Sequence, residues 1–262
     1  MKITVLASGS KGNATYIETP TTKLLIDAGI SYRQLKLRLL EHQIDLHALD
    51  AVLISHEHTD HTKGLVNILK YTGAVIYTTE KTWEHLNKKT TYNLSFATFI
   101  DIVPGKKVML NDLTIEPLSV SHDAVDTLGF IIENTTKKLV HMTDVGYLPS
   151  TDYLKIMNAD LYVFEANYDV ALLFNSQRPY YLKRRIDSVK GHLSNADSAY
   201  HLTRLIGEKT KCIILAHPSE ECNTEYHALE TFKEVFTSYD IDYNQYEIIV
   251  AKQHIPTKLL KL

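Results

Sequence analysis

Two cysteines in 262 residues, Cys212 and Cys222, are too few for a disulfide framework and fit a reducing cytoplasm. No apolar run approaches the roughly 20 residues that a membrane-spanning helix needs. The first apolar run, Ile3 to Ala7, is too short for a secretion signal. Secreted and membrane classes are therefore disfavoured. Excess charge is missing too: the net charge is −3, so no global basic field advertises a polyanionic partner, and any such site must be local. Internal repeats, low-complexity tracts and convincing linkers are absent, and one domain over 1–262 is expected. What remains, 44% hydrophobic and 23% charged, is an ordinary globular composition on a chain long enough to bury a good core.

Against that background one stretch stands out, Ser55-His56-Glu57-His58-Thr59-Asp60-His61. It follows the apolar run Ala51-Val52-Leu53-Ile54 and precedes a helical pattern that starts near Gly64, so it reads as a loop between a buried strand and a helix. Alternate side chains of an extended segment point the same way, which lets His56 and His58 converge. Asp60 and His61 face a second point as the chain turns. Imidazoles and a carboxylate so placed suit two divalent metals side by side.

Other polar residues sit just past apolar runs. Lys23 to Ile26 ends at Asp27, Leu113 to Val120 at Ser121-His122-Asp123, and Lys138 to Met142 at Thr143-Asp144. Leu161 to Phe164 ends at Glu165-Ala166-Asn167, and Cys212 to Ala216 at His217. Further strands are expected over Ile3 to Leu6, Ala14 to Glu18, Ala74 to Tyr77, Phe96 to Val103, Lys107 to Leu110, Gly129 to Glu133 and Tyr246 to Ala251. Helices are expected over Tyr32 to His42 behind Ser31, Glu80 to Asn87, Tyr153 to Asn158 and Glu225 to Thr237, and another after Ser194, with Asp197 at capping-box spacing. The loop Ser8-Gly9-Ser10-Lys11-Gly12-Asn13 has the small residues of a phosphate cradle or of a tight turn.

The pattern HxHxDH resembles the signature of the metallo-β-lactamase superfamily, and His122, Asp144 and His217 follow in the order that superfamily uses. The resemblance implies an α/β fold, the αββα sandwich of two mixed β-sheets flanked by helices. It implies that His56, His58 and His122 hold one metal, that Asp60, His61 and His217 hold a second, and that Asp144 bridges them. Asp27 matches the first acidic motif and is expected to orient a ligand. The metals implied are Zn²⁺ or Mn²⁺, since His and carboxylate ligands admit both. The stretches Ser8–Asn13, Phe164–Asn167, Leu182–Ile186, Gly191–Asn195 and Ala216–Ser219 are similar to the WalJ/YycJ-type metallohydrolases.

That branch implies a 5′→3′ DNA exonuclease in which a metal-bridging hydroxide attacks the phosphodiester, with Asp60 orienting it. Glu165 and His192 also resemble an acid pair of tRNase Z, so His192 is expected to protonate the leaving oxygen and Glu165 to orient His192. Nucleic acid, expected to be DNA, is the partner. Its backbone would meet Ser8, Ser10, Asn13 and Ser194 as phosphate cradles, and Arg178, Lys183, Arg184 and Arg185, with Tyr180 and Tyr181 stacking a base. Alternative readings are a tRNase Z-like RNA-processing nuclease, a thioesterase, and a metal-dependent regulatory protein without turnover. The chain has no room for a β-CASP insertion.

Overall fold

The computed structural model describes residues 1–88 and 93–262. Strands β1 (Lys2–Ala7), β2 (Ala14–Glu18), β3 (Lys23–Ile26), β4 (Ala51–Leu53), β5 (Val75–Thr78) and β6 (Phe99–Asp101) lie side by side in chain order. Strands β7 (Val108–Leu110), β8 (Leu113–Val120), β9 (Thr127–Glu133), β10 (Lys138–Met142), β11 (Leu161–Glu165), β12 (Cys212–Ala216) and β13 (Glu247–Val250) form a second sheet in the same manner. The last strand, β14 (Leu260–Lys261), returns to the first sheet beside β1. Both sheets are mixed. The pairs β1–β2 and β2–β3 are antiparallel, while β3 to β6 run parallel. In the second sheet β9–β10 is antiparallel and β10 to β13 run parallel.

The parallel strands explain the apolar runs. Every residue of β4, β11 and β12 is buried, as expected where connections between parallel strands cover a sheet. Parallel neighbours also end at the same edge. The residues after β3 and β4 therefore share one edge, and those after β10, β11 and β12 share another.

Helices α1 (Tyr32–Glu41), α2 (Thr59–Thr62), α3 (Leu65–Thr72) and α4 (Glu80–Lys88) connect the early strands. Ser31 caps α1 by accepting from Gln34 N–H at 3.3 Å, and α3 ends at Gly73 with φ of 71°, the left-handed stop that glycine supplies. Later come α5 (Tyr153–Ile156), α6 (Val170–Asn175), α7 (Tyr180–Ile186), α8 (Asn195–Leu205) and α9 (Glu225–Ser238). The strand expected over Phe96 to Val103 is shorter, Phe99–Asp101. Among the described residues no helix is long and apolar enough to cross a membrane.

Where the sequence reads as one domain, the backbone divides into two compact units. The first comprises Met1–Ser119, Ala124–Leu128 and Lys252–Leu262, and the second Val120–Asp123 and Gly129–Ala251. In the first unit a core of Leu25, Leu35, Leu39, Val52, Ile54, Leu65, Ile68 and Ile76 ties the sheet to α1 and α3. One glycine is indispensable there. A Cβ on Gly29 would lie 1.6 Å from the carbonyl oxygen of Asp60 and 2.5 Å from Asn13 N. Gly29→Ala is accordingly expected to destabilise the protein by about 1–3 kcal/mol or more, the usual range for forced overpacking. Thermal denaturation checks this, and an unchanged midpoint would remove the steric argument.

Candidate metal and catalytic site

In the first unit the chain leaves β4 and delivers His56, His58, Asp60 and His61 within one loop and the first turn of α2. The His56 and His58 rings lie 4.6 Å apart, and the His56 and His61 rings 4.1 Å apart. His61 is fully buried, and its Nδ1 lies 2.8 Å from Asp27 Oδ2. A carboxylate only accepts, so Nδ1 carries the proton and Nε2 presents its lone pair. Nε2 lies 3.4 Å from Asp60 Oδ2. Asp27 also accepts from Ser55 N–H and Ser55 Oγ. To turn back from β3, Asp27 adopts a φ of 59°, a left-handed conformation that Asp and Asn tolerate better than other side chains.

In the second unit β10, β11 and β12 deliver Asp144, Glu165 and His217 to one edge, and β8 leads to His122. Asp144 and His217 again have positive φ, 56° each. His122 Nδ1 donates to the Gly191 carbonyl at 3.1 Å, which places the lone pair of a neutral ring on Nε2. Burial pushes the His122 imidazole below its ordinary pKa although Asp144 opposes that shift, so the neutral, metal-competent ring is favoured. Asp144 Oδ1 lies 3.6 Å from His122 Nε2, 3.6 Å from His192 Nδ1 and 3.5 Å from His217 Nδ1.

Glu165 is the centre of this half. Its Oε1 accepts from His192 Nδ1 at 2.8 Å and from His217 Nδ1 at 2.9 Å, and its Oε2 from Val145 N–H at 2.6 Å. Burial alone would raise its pKa, but the two imidazoles take it below the usual carboxylate value. The sequence pairs Glu165 with His192 alone. The structure adds His217, so one carboxylate orients the expected acid and an expected ligand together. His192 itself is positioned by a tight turn after α7. A Cβ on Gly191 would meet the Ile186 carbonyl at 2.1 Å, and His192 N–H donates back to that carbonyl at 2.9 Å. Asn167, which sequence reasoning did not single out, donates from Nδ2 to the His217 carbonyl at 2.7 Å and so supports the left-handed turn.

The donor set suits a divalent cation. His61, His122 and His217 each have Nδ1 held by an oxygen acceptor, the orientation in which a ligating histidine turns Nε2 to a metal.

The expected substrate residues fare differently. In the loop expected to cradle phosphate, Ser8 to Asn13, five N–H groups have partners within the fold. Ser8 N–H donates to Lys252 O, Gly9 N–H to Asn13 Oδ1, Gly12 N–H to Gly9 O and Asn13 N–H to Asp60 O. Lys11 N–H donates to Gln253 Oε1 at 2.8 Å. Ser8 is buried and Ser10 exposed, while Asn13 is buried with Nδ2 3.1 Å from His61 Nε2. The loop thus braces the metal motif. Ser194 is likewise buried and serves as the α8 cap, with its Oγ 2.6 Å from Asp197 Oδ2. A carboxylate in that first turn disfavours a phosphate there.

The Lys183 ammonium donates to the carbonyls of Phe174 and Ser176 at 2.7 Å each and closes the C-terminal end of α6. Arg178 pairs with Glu221, Arg184 with Asp187 and Arg185 with Asp123. Arg184 and Arg185 still leave 59% and 60% of their side chains exposed, on the same short helix as the exposed Tyr180 and Tyr181.

Residues 22–214 match the model of the β-lactamase superfamily domain. Exodeoxyribonuclease WalJ of Streptococcus pneumoniae is 40% identical over 85% of this chain and 83% of its own length. Exodeoxyribonuclease YycJ of Bacillus anthracis is 33% identical over 99% of this chain and 98% of its own. Among solved structures, the metallo-β-lactamase fold protein YhfI of Bacillus subtilis aligns over 98% of both chains with a TM-score of 0.74 at 19% identity, a likeness of fold. Family model, extensive sequence identity and two mixed sheets with histidines and carboxylates at their strand ends agree, and the chain belongs to the β-lactamase superfamily, in its WalJ/YycJ-type branch.

Proposed function

We propose that this chain is a metal-dependent phosphodiesterase that degrades DNA from the 5′ end. The observation that carries the reading is the buried Glu165 carboxylate holding His192 Nδ1–H at 2.8 Å beside Asp144 and His217. It keeps one imidazole nitrogen for proton transfer next to residues suited to metal. The family relationship to chains named exodeoxyribonucleases supports the choice of DNA. His56, His58, Asp60, His61, His122, Asp144 and His217 would hold two divalent ions, Zn²⁺ or Mn²⁺. Bound, such ions supply Lewis acidity, which activates water near neutral pH and offsets charge on phosphoryl oxygens.

The chain's own residues do the rest. Asp60 orients the attacking water. His192 gives its proton to the sugar oxygen as the phosphorus–oxygen bond breaks, and Glu165, accepting from Nδ1, orients the ring for that transfer. Asp27 holds His61 in the tautomer a ligand needs. The experiment is to incubate the protein with 5′- and 3′-labelled single- and double-stranded DNA and a tRNA precursor, with Zn²⁺ or Mn²⁺. Mononucleotides released from the 5′ end support the reading, whereas cleavage of the tRNA precursor alone sinks it.

Strand grip rests on Arg184 and Arg185, with Tyr180 and Tyr181 offering faces for bases. Replacing both arginines by alanine is expected to weaken DNA binding and lower the log–log salt slope by roughly 1–2. Lys183→Ala is expected instead to lower the melting temperature, because it uncovers two carbonyls. Binding titrations from low to high salt and melting curves separate the two, and an unchanged slope in the double variant would remove the arginines from the interface.

A further inference from the structure

Beside His192 the second unit contains a cavity of about 330 Å³ that the reaction just described does not use. We propose that it receives the base and sugar of the nucleotide whose oxygen His192 protonates, a leaving-side subsite. The inference rests on the reading of His192 as the acid, because whatever that ring protonates must lie against it. His192 lines the cavity, together with Tyr147, Tyr168, Tyr200, Asp187 and Asp197.

The walls suit a base. Tyr147 and Tyr200 are 53% and 37% exposed, so their faces can be covered. Tyr200 is held from behind: the Arg204 guanidinium lies 4.5 Å from its ring centre, and the Tyr239 and His201 rings meet it edge-on. His201, another lining residue, is locked by Tyr153 Oη at 2.5 Å from its Nδ1, and burial keeps it below its ordinary pKa. A fixed aromatic face loses little freedom when a base stacks on it.

The polar groups exclude the alternative occupant. Asp187 Oδ1 accepts from the buried Tyr168 hydroxyl at 2.8 Å, and Asp197 Oδ2 from Ser194 Oγ at 2.6 Å. Two oriented carboxylates repel a phosphate but accept hydrogen bonds from sugar hydroxyls or exocyclic amines. The cavity therefore takes the uncharged part of the nucleotide. Its size, at the lower end of the roughly 300–1,000 Å³ of small-molecule sites, suits one nucleoside better than a stacked strand, in keeping with removal of one residue at a time.

Two measurements on the full-length protein test this. In saturation-transfer NMR, thymidine should receive magnetisation from wild type, lose it with Tyr147→Ala or Tyr200→Ala, keep it with Tyr200→Phe, and resist competition by inorganic phosphate. In kinetics, an abasic residue on the leaving side of the scissile bond should lower wild-type kcat/KM by about 10-fold, in line with the loss of one stacked base. The ratio of intact to abasic substrate should fall toward one in Tyr147→Ala, whose exposed side chain can be removed without unfolding the protein. A wild-type ratio of one on cleaved DNA overturns the subsite and leaves the nuclease standing. Tyrosine-dependent thymidine binding without any DNA cleavage keeps the pocket and overturns the nuclease. Thymidine binding that both alanine variants retain, or that phosphate abolishes, overturns the subsite.

Discussion

With DNA as substrate, His192→Ala is expected to turn over about 10²–10⁴-fold more slowly than wild type, the usual worth of a positioned general acid. A sugar alkoxide is a poor leaving group, and its departure is helped by a proton arriving as the bond breaks. The same variant acting on a p-nitrophenyl ester of thymidine monophosphate should stay near wild type, because the phenolate leaves without a proton. Metal content should be unchanged, since the ring's Nδ1 already faces Glu165 and the proposed ligand set is complete without it. Single-turnover rates on both substrates, with metal analysis of the same samples, check the prediction. Equal slowing on both substrates, or loss of metal, would return His192 to a structural role.

Asp144→Ala should have the larger effect on composition. Its Oδ1 lies within 3.6 Å of ring nitrogens of His122, His192 and His217, the position of a group that joins several ligands. Protein purified without added metal is expected to approach two ions per chain in wild type and clearly fewer in the variant, from both sites. Activity should fall by more than the about 10–100-fold typical of losing an outer-shell partner. The backbone needs a control. At φ of 56° alanine costs roughly 1–2 kcal/mol over a residue that tolerates the left-handed region. Asp144→Asn keeps that tolerance while removing the charge, so Asn and Ala variants that lose metal alike point to the carboxylate. An Asp144→Ala protein that still carries two ions would sink the bridge.

Much of the candidate ligand set is legible in the sequence because its logic is local. His56, His58, Asp60 and His61 are neighbours, and apolar runs mark the strands that end at Asp27, Asp144, Glu165 and His217. Parallel pairing then brings those ends to shared edges without further information. What the sequence does not record is the distant partners of its polar groups. The Ser8–Asn13 loop has the composition of an anion cradle, yet Gln253, far along the chain, accepts from Lys11 N–H and donates to Gly12 O. Lys183 sits in a basic run, and nothing nearby shows that its ammonium closes α6. Ser194 was correctly placed as a cap, and that same role removes it from substrate. The left-handed turns at Asp27, Asp144 and His217 have no signal beyond residue type, Asp and His being among the non-glycine residues most often found there. Tertiary packing chooses partners for polar groups, and a one-dimensional pattern records only that they are polar.

The shared Glu165 oxygen has a genetic consequence. Two imidazoles donate to the same Oε1, so no codon change at position 165 can reach one ring and spare the other. Screens for separation-of-function alleles, in which the protein still binds its target yet cannot cut it, should recover changes at His192 and not at Glu165. Reversion would follow the same asymmetry. A second-site suppressor could restore a proton donor lost at 192, but a lesion at 165 would need two compensations at once, so its revertants should be back-mutations to Glu at that codon.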